Sequence, residues 1–182
     1  MFIQNRKEGG SMEKEIMMNS PTYGKVSLQR IVEIIRDYIS KSPDSEYEIT
    51  IGTDSQNFNR TKIVKVIAVH KIGGGGIFFY DIVYLPLITE IRRKLVTETQ
   101  LSIDLANAFV DELDREFDRT EWNYTDYKIS FQIHCDVGYN GKTSVLINEI
   151  TSWAASSVPD MFSAIIKPDS FAASSIANKY SK

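Results

Sequence analysis

Four acidic residues stand where their local patterns give them chemical meaning. Asp54 follows the alternating run Tyr47-Glu-Ile-Thr-Ile-Gly-Thr53, and Asp136 follows the alternating run Tyr127 to Cys135. Both patterns read as strands, so each acid is expected at a strand end. Side chains alternate across a strand. Asp54 shares its parity with Glu48, Thr50 and Gly52, and Asp136 shares its parity with Ser130, Gln132 and His134. Each acid therefore lies on the more polar face of its strand. If the two strands are parallel neighbours, the carboxylates converge beyond the same strand ends, where ligands of α/β sheets bind. Glu98 lies seven residues from both Ile91 and Leu105, close to two helical turns, so it points along an apolar helix stripe. A glutamate there needs a partner. A salt bridge to a neighbouring lysine or arginine is one and a metal ion is another, unless a slight rotation of the helix exposes it. Asp169 follows Pro168 and opens the last apolar segment, where it is placed to cap a helix or to serve as a ligand. Carboxylates of this kind suit Mg²⁺ or Mn²⁺, which take oxygen ligands. Two such ions about 4 Å apart can activate water and stabilise a leaving oxygen, the requirements for cutting a phosphodiester.

The elements that must carry these acids follow from hydrophobic period and turn residues. Leu28, Ile31, Val32, Ile35 and Ile39 recur at three and four residues, which predicts a helix from Ser27 to Ser40. Three strands are predicted in series: Tyr47 to Thr53, Lys62 to Lys71 and Ile77 to Tyr84. Gly73 to Gly76 separates the last two, and a strand on each side makes this a hairpin turn rather than a phosphate cradle, which should open a helix. A long helix is expected over Leu87 to Asp118, with Ile91, Leu95, Leu105, Phe109, Leu113 and Phe117 on one stripe. A strand at Tyr127 to Cys135, a helix at Lys142 to Ser157, a short strand at Met161 to Ile166 and a last helix at Ser170 to Tyr180 complete the order. The expectation is an α/β chain with a mixed five-stranded sheet, ordered β-β-β-α-β-α-β-α, with flanking helices and an extra N-terminal helix. Residues 1–20 show no period and are expected to be a disordered leader, with 21–182 forming one domain.

Bulk properties narrow the function further. The chain carries a net charge of −3, so it is not a bulk basic nucleic-acid binder. Local basic groups remain: Arg92, Arg93 and Lys94, then Lys142, Lys167 and Lys179. The single cysteine, Cys135, excludes an internal disulfide, which fits a reducing cytoplasm. No apolar run approaches the roughly 18–20 residues needed to span a membrane, and the polar N-terminus has no secretory h-region. A cytoplasmic location is expected. A zinc site is disfavoured, because His134 and Cys135 point oppositely on a strand and no CxxC exists. Gly141-Lys142-Thr143 opens a helix after a strand, as a P-loop does, but the glycine required five residues earlier is Asp136.

The acids and their order resemble the ribonuclease H-like superfamily. Ile-Gly-Thr-Asp-Ser-Gln (51–56) is similar to that superfamily's first-strand aspartate segment, and His-Cys-Asp-Val-Gly (134–138) to its fourth-strand segment. Within it, the GTDSQ and HCDVGxxGKT stretches resemble the YkuK-like bacterial family over roughly residues 20–182. The resemblance implies a metal-dependent nuclease acting on RNA, DNA or a hybrid. It implies that Asp54 bridges two ions, that Glu98 and Asp136 hold one and that Asp169 holds the other. Lys142 is a candidate phosphate contact. The competing expectation is a non-catalytic module of the same fold that binds nucleic acid or a protein partner.

Overall fold

The computed structural model describes residues 15–139 and 142–167, together with Asp169 and Ser175. It opens with two short strands, β1 (Met17–Ser20) and β2 (Gly24–Ser27). Helix α1 (Leu28–Ser40) follows at once, capped by Ser27 Oγ accepting from the Arg30 N–H at 3.2 Å. Three long strands come next: β3 (Glu46–Asn57), β4 (Thr61–Lys71) and β5 (Gly76–Leu85). Helix α2 (Ile91–Thr120) leads to β6 (Lys128–Gly138), then α3 (Ile147–Ser157) and β7 (Phe162–Lys167).

All seven strands form one sheet, ordered β2-β1-β5-β4-β3-β6-β7. The three central strands form an antiparallel meander, while β6 pairs parallel to β3 and β7 parallel to β6. The main core collects Ile31, Ile35, Ile49, Ile51, Phe109, Leu113 and Ile133 between the sheet and its helices. On the opposite face Val64, Val66 and Ala68 make a smaller cluster with Phe78, Tyr80 and Ile82.

The five-strand expectation is corrected to seven. The two added strands are the N-terminal hairpin, which docks on the free edge of β5 through the Asn19–Tyr80 pair. Its turn needs a residue at positive φ, and Gly24 (φ 70°) supplies it. The leader expected over residues 1–20 is corrected over its last stretch: Met17–Ser20 is β1, and Met18 is fully buried in the core. Residues 1–14 lie outside the described residues, as does the last helix expected at 170–180 apart from Ser175, which is helical. Truncating Met18 to Ala is expected to cost about 2–4 kcal/mol, measured by urea denaturation. A loss under about 0.5 kcal/mol, the scale of a surface substitution, would show that the hairpin contributes nothing to the core.

Helix α2 begins at Ile91, four residues later than the expected start at Leu87. Leu87 to Glu90 is held as a loop instead, because the Ile88 N–H donates to Thr61 Oγ1 at 2.7 Å and its carbonyl accepts from Asn57 Nδ2 at 2.7 Å. The glycine-rich segment is a hairpin turn between β4 and β5, at the end of the sheet away from Asp54.

Candidate metal centre

Strand β3 does not stop at Asp54 but runs three residues further, because β4 keeps pairing with it as far as Asn57–Thr61. Its parallel ladder with β6 is shorter and ends at the Gly52–His134 pair. Two residues beyond that pair, on each strand, stand Asp54 and Asp136. Parallel neighbours run about 4.8 Å apart, so both acids stand just past the end of the ladder, and the charge of Asp136 reaches Asp54.

Glu98 reaches the same place from the other face. Alternate residues of β3 point towards α2, and Thr53 Oγ1 donates to the Glu98 carbonyl at 2.9 Å. Ser102 Oγ lies 3.2 Å from both that carbonyl and Thr53 Oγ1. These bonds fix the rotation and height of α2 against the strand. Ser55, the next residue of the same parity, donates its hydroxyl to Glu98 Oε1. Lys94, one helical turn before Glu98, donates to the Ser55 carbonyl at 3.2 Å. Glu98 is thus the buried glutamate that its phase predicts, only 3% exposed.

The three acids act on one another. Burial pushes the Asp54 carboxyl above its ordinary range and the charge of Asp136 adds to this, while the Ser55 N–H, Lys167 and Lys94 work against it. Burial raises Glu98 to about 7, with Asp136 and Asp54 adding and the Ser55 hydroxyl opposing.

A bulge in β6 shapes the Asp136 side. Between two paired positions β6 advances from His134 to Gly138, while β7 advances only from Ile165 to Lys167. Three residues, Cys135 to Val137, thus stand opposite the single Ile166, and this two-residue surplus carries Asp136 and re-aims it. Lys167, the last residue of β7, forms an ion pair with Asp136. Gly138 makes room for it, since a Cβ there would lie 3.0 Å from the Lys167 Cβ.

The other expected site residues fall differently. Asp169 stands exposed in the turn after β7, its N–H donating to the Ile166 carbonyl at 3.0 Å. No hydrogen bond or ion pair among the described residues ties its carboxylate to the other three. Lys142 is exposed just before the short 3₁₀ turn (Ser144–Leu146) that precedes α3. Arg92 is tied to Glu149 of α3, and Lys179 lies outside the described residues. Buried Cys135 has its thiol pushed up to about 12 by desolvation, which removes it as a nucleophile. His134 Nε2 sits 3.0 Å from Gln132 Oε1, and Gln132 in turn donates to Glu48 at 2.8 Å. Ser55 was not legible as a site feature, and Lys94 and Lys167 were read only as local basic groups, not as partners of Ser55 and Asp136. The parity of Ser55 and the four-residue step from Lys94 to Glu98 were the available signals.

In donor chemistry the set fits a hard divalent ion: three carboxylates from three elements, two of them with raised pKa values. The side chains as they stand are engaged with Lys167 and Ser55. Among the described residues, no three His, Cys, Asp or Glu groups are gathered closely enough to share one ion.

A family model described as ribonuclease H-like matches residues 30–182. The chain belongs to the ribonuclease H-like family. It is also 31% identical over 163 residues to the uncharacterized protein YkuK of Bacillus subtilis (strain 168), covering 87% of this chain and 92% of that protein. No solved structure matches it. The match takes in α1 from Arg30 onward and both strands that carry Asp54 and Asp136, and it leaves the N-terminal hairpin outside. No helix among the described residues of this ribonuclease H-like chain is long and apolar enough to cross a membrane.

Proposed function

We propose that the chain is a metal-dependent nuclease that hydrolyses phosphodiester bonds of nucleic acid. Asp54, Glu98 and Asp136 would hold Mg²⁺ or Mn²⁺, with Asp169 as a fourth ligand and Lys142 as a phosphate contact. The observation that carries this proposal is that Asp54 and Asp136 stand at the end of one parallel ladder with Glu98 within reach of their charge: Asp136 raises the cost of ionising both Asp54 and Glu98, and Asp54 adds to the cost at Glu98. Bound there, two divalent ions would supply a water of lowered pKa and neutralise charge on the leaving oxygen.

The chain's own residues have defined tasks in this scheme. The Ser55 N–H, 2.9 Å from Asp54 Oδ1, orients that carboxylate. The Ser55 hydroxyl and the Thr53 contact hold Glu98 in place on α2. Exposed Arg60, Arg93 and Lys142 offer cations to the phosphates on either side. In the reaction a water oxygen bonds to phosphorus, one ester P–O bond breaks, and the leaving oxygen takes up a proton. The products are a phosphate monoester and a hydroxyl.

A second function, a non-catalytic module binding nucleic acid or a protein partner, is favoured by one observation. Asp136 is already paired with Lys167, and the described acids do not form a closed ligand set. The two are separated by incubating the full chain with labelled single-stranded RNA, single-stranded DNA and an RNA–DNA hybrid. Cleavage of at least one with Mn²⁺, abolished by chelation, is expected. Intact substrate in every case, with binding retained, would establish the module instead.

A further inference from the structure

We propose that Lys167 is a resident counter-cation of the carboxylate cluster, and that its ammonium must leave Asp136 before a divalent ion can bind there. The proposal rests on the metal-dependent function put forward above and goes one step into its control.

Three features place Lys167 in this role. The first is position. It ends β7 directly beside the bulge that re-aims Asp136, and its ammonium pairs with that carboxylate. The second is room. Gly138 faces Lys167 in the β6–β7 pairing, and the missing Cβ lets the lysine stem lie close against the strand. The third is charge. Its ammonium is the cation paired with Asp136 at the ladder end that also carries Asp54, and the charges of Asp54 and Glu98 reach it as well. Meanwhile half of the side chain is exposed, so a flexible four-carbon stem can swing away into solvent.

The energetics favour exchange rather than a permanent lock. A partly exposed lysine–carboxylate pair is a modest interaction. A dication shared by several carboxylate oxygens gains more from the same acids. The lysine therefore lowers cation affinity without abolishing it. It also keeps three clustered acids from standing uncompensated while no cation is bound.

The test is Mn²⁺ affinity of the full chain, measured by electron paramagnetic resonance of free Mn²⁺, with no substrate present. Lys167→Met should bind Mn²⁺ roughly three- to tenfold more tightly than the wild type, and Lys167→Arg should remain near the wild type. Lys167→Gln, which keeps a polar end, repeats the comparison should the Met variant fold poorly. In the wild-type chain the Lys167 ¹⁵Nζ resonance should shift on Mg²⁺ saturation. That of Lys65, which pairs with Asp81 at 2.8 Å on the meander, should not. Wild-type binding with unchanged or weaker binding in the charge-removing variants, or an unmoved Lys167 resonance, would overturn the exchange and leave the metal site standing. Failure of all forms to bind Mn²⁺ would remove the metal site and the exchange together.

Discussion

Asp54→Asn is expected to lower Mn²⁺-supported cleavage by at least about a hundredfold, while the chain stays folded and becomes no less stable. The loss follows from what a carboxylate holding the proposed ions would supply. Metal ions contribute several kcal/mol of charge stabilisation in the transition state, and each 1.36 kcal/mol is a factor of ten in rate. An amide is isosteric but brings no charge to hold the ions. The unchanged stability follows from the structure. Asp54 is raised above its ordinary pKa by burial and by Asp136, so its ionised form opposes folding at neutral pH. Asparagine removes that charge and keeps an oxygen for the Ser55 N–H, which now lies 2.9 Å from Asp54 Oδ1. Cleavage by purified protein and a thermal melt at pH 7.5 decide the matter. Activity that survives the substitution would remove Asp54 from the site. A melt many degrees lower would make it a structural residue rather than a functional one.

The parts of this site that were legible in the sequence are those governed by short periods. A helix period of 3.6 places Glu98 on the same stripe as Leu95, Leu105 and Phe109, and these residues are buried in the structure. A strand period of two puts Asp54 and Asp136 on the faces opposite Ile51 and Cys135. Period alone overstates the stripe at its ends. Ile91 is 41% exposed and Phe117 45%, because a helix of 30 residues outruns the sheet beneath it. What could not be read depends on pairing between distant segments. The length of β3 beyond Asp54 is set by β4, not by its own residues. The bulge at Cys135 to Val137 exists only relative to β7, and so does the meeting of Lys167 with Asp136. The N-terminal hairpin has strands of four residues, too short to show a period, and its place is decided by the open edge of β5.

The buried glutamate should give the chain an unusual dependence of stability on pH. The Glu98 carboxyl titrates near 7 in the folded chain against an ordinary 4.5, so between these values the native state binds more protons than the unfolded state. Stability must then fall as pH rises through that window, the reverse of the behaviour of a salt-bridged carboxylate. At 1.36 kcal/mol per pKa unit, the full effect is on the order of 3 kcal/mol. Glu98→Gln should therefore match the wild type near pH 4.5 and exceed it in stability by up to roughly 3 kcal/mol at pH 8. Glutamine can still accept from Ser55, whose hydroxyl now donates to Glu98 Oε1. Urea denaturation of both forms at the two pH values, with a chelator present, measures the difference. Parallel pH profiles would show that Glu98 does not hold a proton in the fold. The same cost makes Glu98 useful to a cation: a divalent ion competes with the proton for the carboxylate, so its affinity should weaken as pH drops below about 7.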